Sequence, residues 1–165
     1  MQSCFRKFYR AIILTGNFLQ PFFLLAIRLF WGWQFFNSGI GKFADIDSVA
    51  GYFSTLGIPA PMLNAYIAAT IETFGGLFLL LGLASRLIAI PLVITMIVAL
   101  RTAHQEVTIN LFDDPVLVAQ QPPFTFLLAS LIIFVFGPGP FSLDGAIKRW
   151  FLKESASGAS MKDQI

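Results

Sequence analysis

The chain alternates long apolar stretches with short polar ones. The hydrocarbon core of a bilayer is crossed by about 20 mostly apolar residues in a helix. Four stretches approach that length: Phe22 to Gly41, Met62 to Leu83, Leu87 to His104, and Pro123 to near Pro140. The fourth is the weakest. Its uninterrupted apolar part, Pro123 to Gly137, would span about 22 Å at the helical rise of 1.5 Å per residue. Gly137-Pro138-Gly139-Pro140 then breaks it. Four such stretches in 165 residues leave too little polar chain to cover them in a soluble fold. The pattern predicts an all-α, integral membrane four-helix bundle with short interfacial helices.

The polar stretches carry their own patterns. Phe5, Phe8, Tyr9, Ile12 and Ile13 recur at helical spacing opposite Arg6, Lys7 and Arg10, so residues 1–20 read as an interfacial N-terminal helix. The basic start resembles a signal peptide. Asn17, Gln20 and Pro21 interrupt its apolar run, however, and no small-residue cleavage site follows, so it reads as a retained end. Between Asp47 and Gly57, Val49, Tyr52, Phe53 and Leu56 form one side of a short helix, with Asp47 or Ser48 as its cap. The loop from Gln105 to Pro122 carries Glu106, Asp113 and Asp114 among apolar residues, and both loops could fold over the mouth of the bundle. The four spans occupy residues 21–146. Residues 147–165 form a basic tail: Lys148, Arg149 and Lys153 accompany Trp150 and Phe151, and the segment from Ser155 is small, polar and expected to be disordered.

Composition agrees with a lipid environment. The chain is 56% hydrophobic and 12% charged, with mean hydropathy +0.75, against about 25% charged residues in soluble domains. A net charge of +2 singles out no acidic partner, and without a basic patch with interleaved aromatics nucleic acid is excluded. Orientation follows from the cations. With the N-terminus cytoplasmic, Arg6, Lys7, Arg10, Arg86, Lys148, Arg149, Lys153 and Lys162 lie inside, and only Lys42 and Arg101 lie outside. Both termini are then cytoplasmic. The short connection Ala84-Ser85-Arg86 makes the second and third spans antiparallel neighbours.

The sequence holds one cysteine, Cys4, and one histidine, His104. That rules out an internal disulfide, the ligand set of a typical zinc site and a haem with two histidines from this chain. No metal site is expected. No nucleophile motif or phosphate loop is present, since Gly75-Gly76 lacks the lysine and the strand context.

Three ionisable residues fall within the spans: Arg28, Glu72 and Arg101. Charge at that depth is expensive unless paired and marks a candidate site. From the inner ends of their helices they lie about 9, 15 and 21 Å deep, which places Glu72 near the midplane between the two arginines. Ala65, Ala68, Ala69, Glu72, Gly75 and Gly76 share one face, so Glu72 points at a neighbouring helix that packs on Gly75 and Gly76. His104 lies one turn beyond Arg101, and Trp31 lies close enough to Arg28 for a cation–π contact. Two readings follow, and they are compatible. One is a buried ion pair of Glu72 with Arg28 or Arg101 that fixes helix register. The other is an outward-opening polar cavity lined by Arg28, Glu72, Arg101 and His104, able to hold an anion, a proton or a quinone head group.

Four motifs in order carry a family resemblance: Arg28 with the ending Asn37-Ser38-Gly39-Ile40-Gly41-Lys42-Phe43; Glu72-Thr73-Phe74-Gly75-Gly76; the turn with Arg86; and Gly137-Pro138-Gly139-Pro140-Phe141-Ser142-Leu143-Asp144. Over residues 20 to 146 the chain resembles the DoxX family of small bacterial membrane proteins. The basic N-terminal extension and Pro122-Pro123 depart from the family pattern. The resemblance implies a multi-pass protein of the bacterial inner membrane, associated with membrane redox systems such as thiosulfate oxidation feeding the quinone pool. The expected function is therefore a membrane subunit of a redox-linked, quinone-associated complex, bound to a protein partner or to copies of itself. Its only candidate cofactor is quinone. At most it would be the membrane subunit of an oxidoreductase, because the sequence contains no electron carrier. A small proton- or anion-coupled transporter and a structural scaffold without activity are the alternatives.

Overall fold

A computed structural model describes residues 2–109 and 115–150 of the chain. The expected disordered tail from Ser155 and the acidic pair Asp113-Asp114 lie outside them. The described residues form helices α1 (Gln2–Ala44), α2 (Ile46–Thr55), α3 (Pro61–Leu81), α4 (Ser85–Thr102), α5 (Gln105–Ile109), α6 (Pro115–Ala119) and α7 (Pro122–Phe136), and residues 143–150 are helical as well. The all-α membrane bundle expected from the hydrophobic pattern is what forms. By length and composition α1, α3 and α4 can each cross a membrane, and α7 is a shorter apolar helix. The large apolar side chains on their outer faces are exposed, as lipid-facing residues are.

Two features differ from the pattern. The N-terminal segment is helical, but it does not form an element of its own. α1 runs without interruption through Pro21, a continuous rod of about 64 Å by helical rise, and residues 6–20 are exposed along it. The cap of α2 is Asp45, whose carboxylate accepts from Ser48 N at 3.3 Å; Asp47 sits inside the first turn.

α1 packs along α3, and α4 along α7, with α3 and α4 joined by a tight turn. Small residues set the α1–α3 distance. A methyl group on Gly76 would fall 2.4 Å from Phe36 N and 2.7 Å from Gly32 O, and one on Gly39 would fall 2.4 Å from Thr73 N. Real contacts of that kind do not occur, so these glycines let the two backbones touch. Gly75 faces α4 instead, against Leu92. The apolar core is Phe35, Leu79, Leu92, Met96 and Ile133, one or more from each long helix.

Candidate functional site

The polar residues of the bundle fall into two separate groups. The first is a clasp at the α3–α4 turn. Arg28 is 3% exposed, and its guanidinium donates to Pro138 O at 2.8 Å and Phe141 O at 2.6 Å. Those carbonyls belong to the Gly-Pro-Gly-Pro break after α7, where helical hydrogen bonding has ended. The Asp144 carboxylate accepts from Ala84 N at 2.8 Å and Ser85 N at 3.0 Å. Asp144 N in turn donates to Gly82 O at 3.0 Å. Ala84 is left-handed at φ 47°, a conformation unfavourable for a residue with a Cβ. Asp144 satisfies the orphan amides of α4 just where the backbone is strained. Arg86 adds a bond to Val135 O. The clasp joins α1, the α3–α4 turn and the segment after α7 through bonds to backbone groups, while Arg28 Nε and Ser85 Oγ are buried there without a partner among the described residues.

The second group lies at the other end of the bundle. Lys42 Nζ meets Glu72 Oε2 at 2.5 Å and donates to Ser38 Oγ at 2.8 Å. The Glu72 side chain is 4% exposed and that of Lys42 25%. This ion pair differs from both expected ones. Arg28 is committed to the clasp, and Arg101 is exposed on α4. The physical reason is rotational position. Helical rise gives depth along the bundle and not the direction a side chain faces, so matching depths did not imply contact. Lys42, read as an outer-loop residue, is instead in the last turn of α1. There the close α1–α3 contact brings it opposite Glu72, and its flexible four-carbon stem supplies the reach. The sequence signal was present in Ser38 and Lys42, four residues apart on one helix face. His104 is half-buried beyond the end of α4, where its carbonyl accepts from Thr108 Oγ1 at 2.8 Å. Trp31 lies edge-on to Phe126, with ring centroids 5.0 Å apart.

The ion pair forms part of the wall of a cavity of about 550 Å³, partly open and enclosed by α1, α2, α3, α4 and the start of α7. Phe35, Ile71, Met96 and Phe126 give it apolar walls; buried Glu72 with half-buried Ser38 and Lys42 forms a polar corner. Arg28, Arg101 and His104 do not line it. A space of this size falls in the range of small-molecule sites, which combine apolar walls with a few placed polar groups. Lys42 has three N–H donors, and its bonds to Ser38 and Glu72 use two. Among the described residues no group of three or more His, Cys, Asp or Glu could hold a metal ion.

The DoxX family profile matches residues 23–105. An uncharacterized protein of Haemophilus influenzae is 30% identical over 138 residues, 80% of this chain and 87% of that protein. Inner membrane protein YphA of Escherichia coli is 28% identical over 126 residues, 76% of this chain and 90% of that protein. Putative oxidoreductase CatD of Bacillus subtilis is 35% identical over 78 residues, 47% of this chain, and the match spans only 57% of CatD's own length. No solved structure matches the chain. Both the profile and the long Haemophilus alignment run through the helices that build the ion pair, and with them the chain belongs to the DoxX family of membrane proteins.

Proposed function

We propose that this protein is the membrane subunit of a redox-linked complex and that its cavity receives a quinone head group. The observation that carries the reading is the Lys42–Glu72–Ser38 corner set into a mostly apolar cavity of about 550 Å³. A quinone is a flat apolar ring with carbonyl acceptors. Its ring matches Phe35, Ile71 and Phe126, and a carbonyl matches the remaining donor of Lys42. In the reduced form a ring hydroxyl donates to the Glu72 carboxylate. With one cysteine and one histidine in the chain, electrons would reach the quinone from a partner protein. The name of CatD, putative oxidoreductase, points the same way. The cation distribution supports an orientation with both termini on the cytoplasmic side of the bacterial inner membrane; in that orientation the cavity is in the outer half of the bundle.

Transport is the weaker reading. Phe35, Leu79, Leu92 and Ile133 are each 1% exposed or less. Together with Met96 they form the apolar core of the bundle beside the cavity, which disfavours passage of an ion.

The test is titration of the purified protein in lipid nanodiscs with decylubiquinone and with menaquinone-4, followed by quenching of tryptophan fluorescence. Trp31 contacts Phe126, a cavity wall residue. Saturable quenching is expected. Lys42→Met and Glu72→Gln should each weaken it about tenfold, the usual scale for a hydrogen bond to a charged group, and Arg101→Gln should leave it unchanged. Absence of saturable binding for both quinones, or equal binding by all three variants, would refute the reading.

A further inference from the structure

Two of the cavity's walls are also faces that meet lipid. On α4, Leu87, Ile90, Ile94, Ile97 and Val98 form an exposed apolar stripe. Ile94, 56% exposed, and Val98, 47% exposed, also line the cavity. On α3 the corresponding stripe is Leu63, Tyr66, Ile67, Phe74 and Leu77, of which Ile67, 45% exposed, lines the cavity too. α3 and α4 are held together at their turn by the clasp and touch where Gly75 meets Leu92. Both helices also line the cavity, α3 with Ala68 and Ile71 and α4 with Met96 and Ala99. Val49, Phe53 and Leu56 of the α2 segment line it from another side.

We infer that the cavity opens sideways between α3 and α4, and that its ligand enters from the bilayer through a portal edged by Ile67, Ile94 and Val98. This deepens the ligand-site reading above and rests on it. These three edge residues are apolar, whereas Glu72 is buried in the wall with its side chain 4% exposed. Ions, sugars and phosphate esters do not dissolve in the phase that feeds such a portal. The ligand class is a lipid-dissolved molecule with a flat or chain-like apolar body and a carbonyl acceptor at one end. The acceptor enters last and binds Lys42, and the apolar remainder can stay in the portal and project into lipid.

The test reads access without any ligand. A nitroxide at Ala99→Cys on a Cys4→Ser background, in phosphatidylcholine vesicles, reports collisions with oxygen, which concentrates in lipid, and with a nickel chelate, which stays in water. Ala99 lines the cavity from α4, and Ala68→Cys on α3 serves if the first variant does not fold. Oxygen accessibility should exceed nickel accessibility several-fold. Adding Ile94→Trp with Val98→Trp should lower oxygen accessibility at least twofold, and Tyr52→Trp on α2 should not. Nickel accessibility equal to or above oxygen, low accessibility to both, or insensitivity to the α4 tryptophans would overturn the portal. Lipid access without quinone binding would remove the quinone reading and leave the portal standing. Quinone binding with access from water would remove the portal alone.

Discussion

The Lys42–Glu72 pair invites a double-mutant cycle. Removing one member of a buried ion pair leaves the other uncompensated and costs about 3–5 kcal/mol. The two residues differ in escape route. The Glu72 side chain is 4% exposed and sits mid-helix on α3, whereas that of Lys42 is 25% exposed at the end of α1. Lys42→Met strands the carboxylate, so a loss of about 3 kcal/mol is expected, the low end of that range because the cavity is partly open. Glu72→Gln keeps an acceptor oxygen in place and lets Lys42 swing toward solvent, so about 1–2 kcal/mol is expected. The double variant Lys42→Met/Glu72→Gln strands no charge and should lie within about 1 kcal/mol of the parent. The resulting coupling is at least about 3 kcal/mol. Reversible unfolding of the four proteins in mixed micelles, followed by circular dichroism, measures it. If the two single losses add to within about 0.5 kcal/mol in the double variant, the pair contributes nothing as a pair and its assignment as the polar corner fails.

Two further outcomes follow from the packing. Gly76→Ala puts a methyl group 2.4 Å from Phe36 N and should destabilise by about 1–3 kcal/mol, while Gly51→Ala on α2, with nothing within 4 Å, should be neutral or stabilise by up to about 1 kcal/mol; equal effects in a thermal melt would refute the α1–α3 contact. Arg28→Met removes the donors to Pro138 O and Phe141 O and should cost about 2–4 kcal/mol, with quinone affinity of the folded fraction unchanged, so a specific binding defect in the nanodisc titration would return Arg28 to the site.

How much was legible in advance can be argued from particular residues. Hydrophobic run lengths located the three long helices and the short α7, because lipid requires long apolar helices whatever their neighbours are. Small-residue spacing put Glu72 on a helix-packing face, and it is buried there. The continuation of α1 through Pro21 was not legible: the interrupting polar residues were read as a boundary, yet the helix carries them on an exposed stretch where nothing opposes them. Asp144 was quoted as part of a motif, but its bonds to Ala84 and Ser85 lie some 60 residues away in sequence, a distance no local pattern reports.

The sequence by itself determined the solvent, the helical class and the expense of each buried charge, since these depend on composition and on a period along one helix. Which charge meets which was decided only by the tertiary structure. Glu72 had two arginines at a compatible depth, Arg28 and Arg101, and it meets neither. Backbone contact at Gly39 and Gly76 set the rotation of α1 against α3, sent Lys42 to Glu72 and left Arg28 to the carbonyls of the helix break. The cavity is likewise a tertiary feature: its lining comes from α1, α2, α3, α4 and the start of α7 together.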